Sequence, residues 1–169
     1  MYQSIEGFMR DWAYEEGLTL KVLDALTDDS LKQVVSESQP RTLGDLGWHL
    51  VGSIAVFLGS SGLQLDGPDY KGPTPSRAAD IAEGYRRMSA TAVAALKEHW
   101  SDDKLKDGLK LFGFIDTTYS GVLTTLVRHQ IHHRGQMTIL MRQAGVAAPG
   151  VYGPNEEETA AMQAARPQQ

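Results

Sequence analysis

Between Thr117 and Ala144 the apolar residues Val122, Leu126, Met137 and Leu140 recur at the period of an α-helix. Three further segments repeat this pattern over lengths no strand reaches. Ile5, Phe8, Met9 and Trp12 open the first, which runs from about Ser4 to Leu26. Leu46, His49, Leu50, Ser53 and Phe57 form the stripe of the second, beginning at Thr42. Ile81, Tyr85, Met88, Ala92, Ala95 and Leu96 mark the third, from about Ser76 to Trp100. Each stripe is apolar on one face and must be buried against another. Four such segments without a convincing strand predict an all-α four-helix bundle. The 169 residues are about one domain's worth, and neither an internal repeat nor a second domain is evident.

The local signals place the ends. Thr42 with Asp45 three residues later is a capping-box start. Gly145 stands where a helix-terminating C′ glycine is expected. Gly59 to Pro75 is rich in glycine and proline and reads as a long surface connection between the second and third helices. Leu31 to Gln39 reads as irregular or briefly helical. Ser101 to Asp116 is polar around one apolar patch, placed over an open end of the bundle. Glu156 to Ala165 predicts a last short helix with three glutamates at its start. Gly17 is either a cost to the first helix or a point of close approach.

The fourth segment carries three of the five histidines, His129, His132 and His133. With His129 at zero and about 100° per residue, the apolar stripe falls between roughly 20° and 80°. His133 falls inside it at about 40°, and His132 outside at roughly −60°. Two imidazoles one turn apart on an apolar stripe need partners for their nitrogens, and a divalent ion is one such partner. His49, on the stripe of the second helix, would supply a third ligand, leaving a coordination position open. The plainer alternative is a set of core histidines satisfied by hydrogen bonds. His99, near the end of the third helix, fits a helix-dipole role.

Composition removes several chemistries. There is no cysteine, hence no disulfide, thiolate metal site or cysteine nucleophile. The formal net charge of −5 and the lack of a basic stripe longer than Tyr85–Met88 argue against nucleic acid as a partner. No apolar run is read as long enough to span a bilayer, and no leader is read at the N-terminus, so the expected location is cytoplasmic, away from membranes.

Gly47-Trp-His-Leu-Val51, His129-Gln-Ile-His-His-Arg-Gly-Gln136 and the exit from Arg142 to Pro154 resemble the DinB/YfiT-like superfamily, and the resemblance extends over nearly the whole chain. It implies a four-helix bundle with a long connection between helices two and three. It implies a divalent metal, usually nickel or zinc, with iron, manganese or copper as further options, on His49, His129 and His133. Homodimers are common in that superfamily. Its members include transferases and isomerases that use low-molecular-weight thiols such as bacillithiol or mycothiol, proteins proposed as hydrolases, and many with no known reaction. The polymerase that shares the name is a different protein.

A metal on three neutral imidazoles can activate a thiol or a water at neutral pH. A thiol would come from outside, as a small-molecule substrate. Activation of water calls for a base. Glu15, Glu16 and Asp45 are candidates, each with a plainer role: solvated surface for the glutamates, helix capping for Asp45. Gln136 and Tyr119 are candidates to orient substrate or to form a hydrogen bond behind a ligand. Arg134 falls away from the ligand face and is expected in a structural ion pair. Three readings follow: a metal-dependent thiol S-transferase, a metal-dependent hydrolase, and a non-catalytic metal-binding stress-response protein.

Overall fold

The computed structural model describes residues 1–165 of the chain. Four long helices dominate it: α1 (Ile5–Asp24), α2 (Leu43–Ser60), α3 (Ala78–His99) and α4 (Tyr119–Gln143), followed by a short α5 (Glu156–Ala164). The packed pairs are α1 with α3, α3 with α2, α2 with α4 and α4 with α1. Trp12, Leu23, Leu50, Ile54, Ile81, Tyr85, Leu126 and Met137 fill the space between them. α1 and α2, and likewise α3 and α4, thus lie across the core from one another, while α2 and α3 are neighbours. The expectation of a purely α protein needs correcting, because two small antiparallel hairpins are also present: β1 (Val34–Ser36) with β2 (Gln39–Thr42), and β3 (Gly108–Leu111) with β4 (Ile115–Thr118).

With the hairpins in place, the two halves of the chain show the same order of elements. Each half of the chain runs helix, 3₁₀ turn, hairpin, helix. Asp28-Asp29-Ser30-Leu31-Lys32 is matched by Asp102-Asp103-Lys104-Leu105-Lys106, with Leu31 and Leu105 both buried. The second helix of each half starts at a threonine N-cap, Thr42 or Thr118. Its first N–H reaches back over the hairpin to a carbonyl, Leu43 N–H to Gln33 at 2.8 Å and Tyr119 N–H to Asp107 at 3.1 Å. Turn chemistry and caps repeat while the helix faces diverge, so the similarity is confined to a few positions.

The start of α2 follows its sequence signal. Asp45 N–H donates to Thr42 Oγ1, and Thr42 N–H donates to Asp45 Oδ2, both at 3.0 Å. This helix is long and apolar enough by composition to cross a membrane, contrary to the reading that no run is. Two thirds of it is buried among the other helices, as befits the central helix of a core. α4 ends on Gly145 at φ +76°, where Val146 N–H reaches Met141 O at 2.8 Å in a Schellman closure. Gly17 is exposed with nothing close to it, so close approach does not explain it.

Candidate metal centre

α2 brings His49, and α4 brings His129 and His133, to one point between the two packed helices. The Nε2 atoms of His49 and His129 are 3.1 Å apart. Ring centroids are separated by 4.9 Å (His49–His129), 4.6 Å (His49–His133) and 4.4 Å (His129–His133). One nitrogen from each of the three lies within 4.8 Å of the others. Ligands held at about 2.0–2.1 Å from a common ion stand roughly 3–4 Å apart, so small side-chain rotations would bring this trio around one ion. Burial holds His49 and His129 down at about 4, and lowers His133 as well. All three are therefore neutral at pH 7, the protonation state that offers lone pairs. His133 Nδ1 is 2.7 Å from Gln136 Oε1. Donation to that oxygen leaves Nε2 free to ligate. The Nδ1 of His129 is buried without a hydrogen-bond partner, so a mutual hydrogen bond with His49 does not satisfy the group. The donor set fits a divalent transition metal.

The remaining sequence candidates separate cleanly. His132 is exposed beside His133 and outside the trio, as its helical phase predicts. His99 is exposed at the last residue of α3. Tyr119 packs on Trp100, under the Lys104 ammonium, and does not line the cavity beside the histidines. Glu15 is neither a base nor solvated surface: it is 5% exposed. Its carboxylate accepts from Arg134 Nη2 at 2.5 Å and from the Tyr152 hydroxyl at 2.7 Å. Arg134, 1% exposed, also donates from Nη1 to Thr19 Oγ1 and to the Glu15 carbonyl, both at 3.0 Å. The expected structural ion pair of Arg134 is thus deep, not superficial. Glu16 does not line the cavity. Asp45 does, but Oδ2 caps α2 and Oδ1 accepts from the Thr74 hydroxyl at 2.7 Å.

The cavity over His49 and His129 measures about 570 Å³, with Val56, Phe57 and Phe112 among its walls. Phe112 comes from the β3–β4 turn, at φ +55°, a conformation that bulky side chains seldom adopt. Its N–H donates to Ser60 Oγ at 2.7 Å, and its ring meets Phe57 edge-on at 5.3 Å. A second cleft of about 380 Å³ opens on His133 and Gln136, and Arg41 borders both. Nothing in the period of the helices could have pointed to Phe112 or Arg41, because both sit on the hairpins.

The family model described as "DinB family" matches residues 1–168. The chain belongs to the DinB family. Its relatives include the uncharacterized protein YrdA of Bacillus subtilis strain 168, 41% identical over 160 residues, with 95% of each chain covered. "Protein DinB" of the same organism is 33% identical over 120 residues, covering 66% of this chain and 64% of that one. Among solved structures, a DinB-like protein from Bacillus cereus ATCC 10987 superposes with a TM-score of 0.84 at 47% identity, covering 90% of this chain and 100% of the other. A DinB-like protein from Bacillus subtilis, at 19% identity and a TM-score of 0.65, shares the fold.

Proposed function

We propose that this DinB-family protein is a metal-dependent enzyme of the thiol S-transferase type, with His49, His129 and His133 holding a divalent ion, nickel or zinc by preference. The observation that carries this reading is the convergence of three neutral imidazoles beside an apolar-walled cavity that is open to small molecules. A divalent ion bound there would lower the pKa of a thiol or water that it meets. Gln136 fixes the tautomer and orientation of His133. Val56, Phe57 and Phe112 give the cavity an apolar wall for an electrophile to lie against. In the transfer the thiol loses its proton to solvent, its sulfur bonds to the electrophilic carbon, and the leaving group departs with the electron pair of the broken bond.

The thiol route is favoured over hydrolysis by the state of the carboxylates. Asp45 is the one acid lining the cavity among the described residues, and both of its oxygens already accept hydrogen bonds. Glu15 is committed to Arg134. No carboxylate among the cavity-lining residues is left as a base for water.

The test uses the full chain loaded with nickel or zinc, an aryl halide, and a small thiol added or withheld. Consumption of the halide that needs both metal and thiol, and is lost in His49→Ala, supports the reading. Metal-dependent ester cleavage without thiol moves the protein to the hydrolases. Neither activity, with one metal bound per chain, refutes catalysis of both kinds.

A further inference from the structure

Arg41 occupies an unusual place. It lies on β2, one residue before the N-cap of α2, and borders both cavities that meet the histidine trio. Among the described residues its guanidinium has no hydrogen bond and no carboxylate within 4.0 Å. Asp45, the acid that shares the larger cavity, spends its oxygens on Thr42 and Thr74. The half-buried guanidinium shares the field of the Asp45 carboxylate but touches no carboxylate, so its N–H groups are left free for a ligand. A bound divalent ion would add to its positive potential.

Trp48 supplies an independent observation. It lines the same cavity, and its Nε1 is buried with no hydrogen-bond partner. The indole is locked in place by Gly84, where a Cβ would stand only 2.6 Å from Trp48 Cζ3 and 3.2 Å from Cη2. The benzo edge rests against α3. A buried donor without an acceptor costs about 1–3 kcal/mol, and a ligand that brings an acceptor relieves it. Two donors of this kind beside an apolar wall describe a pocket for an anionic group carried on a short chain.

We propose that Arg41 and Trp48 form an anion subsite next to the histidine trio, and that the thiol substrate carries a carboxylate held there while its sulfur reaches the three imidazoles. This rests on the thiol reading above. It adds a specificity: between thiols of equal length, the protein selects the one with a negative end. Arg41 supplies the charge, and Trp48 supplies a directed hydrogen bond.

The test is titration calorimetry on the zinc-loaded full chain, with ω-mercaptocarboxylates of two to six carbons and their methyl esters as probes. Acid and ester share the thiol and differ in the charge. At one chain length or more, the acid is expected to bind at least about tenfold tighter than its ester, the scale of a charge-assisted hydrogen bond. Arg41→Met should abolish that preference while leaving zinc content and ester affinity unchanged, and Arg41→Lys should restore part of it. Trp48→Phe, which removes the N–H and keeps an aromatic side chain, should weaken the acid alone. Equal binding of acid and ester at every length, or a preference that survives in Arg41→Met, overturns the subsite and leaves the thiol reading standing. Absence of binding by acid and ester alike overturns both.

Discussion

Replacing Arg134 by methionine leaves the Glu15 carboxylate 5% exposed and without its cation. The hydrogen bonds lost are to Glu15 Oε2, the Glu15 carbonyl, Thr19 Oγ1 and the Tyr152 hydroxyl. Removing one partner of a buried pair costs roughly 3–5 kcal/mol, because the remaining charge stays desolvated. For a domain of this length that is roughly 6–20 °C of melting temperature, at about 2–4 °C per kcal/mol. Urea denaturation of the metal-free protein reads the loss directly, since the bound ion would otherwise add stability of its own. Glu15→Leu in the same chain should recover most of the loss, because two apolar side chains replace two opposed charges. The Tyr152 hydroxyl is then free to turn to water, its side chain being largely exposed. A loss below about 1 kcal/mol for the single variant, the value of an exposed pair, would refute the placement of this pair in the core. Metal content should stay at one per chain throughout, which separates the structural role of Arg134 from that of its neighbour His133.

Elemental analysis should find metal absent from His49→Ala and His133→Ala and retained in His132→Ala, and equal loss from all three would refute the assignment of ligands. Gly17→Ala should stabilise the protein by about 0.5–1 kcal/mol in urea denaturation, since the site is exposed, helical and uncrowded; destabilisation would show that α1 does not continue through it. His49 and His129 titrate at about 4 in the fold against the ordinary 6.5, so the unfolded chain binds more protons between those values. The stability of the metal-free protein should therefore be flat above pH 7 with respect to these groups and fall as pH drops from 6.5 toward 4. His49→Gln should remove part of that slope, and an unchanged slope would show that His49 is not buried neutral.

The helices were legible because their signals are local. Apolar spacing, the Thr42–Asp45 box and Gly145 act within a turn or two, and the structure places those ends within about two residues of the expected positions. The hairpins were not, because all four strands are only three or four residues long, and β1 and β2 are also largely exposed with an irregular register. Glu15 reads as surface because, in one dimension, nothing separates it from Glu16. Its burial depends on Arg134, more than a hundred residues away in sequence.

The sequence by itself settled that His129 and His133 share a face and His132 does not, since helical phase is a property of one segment. Tertiary packing decided that His49 meets them, that Asp45 is spent on capping and on Thr74, and that Arg41, Trp48 and Phe112 gather at the same cavity. Those meetings join α2, α4 and both hairpins. They are set by how the buried faces of the helices fit together, a long-range matter on which spacing within any one segment is silent.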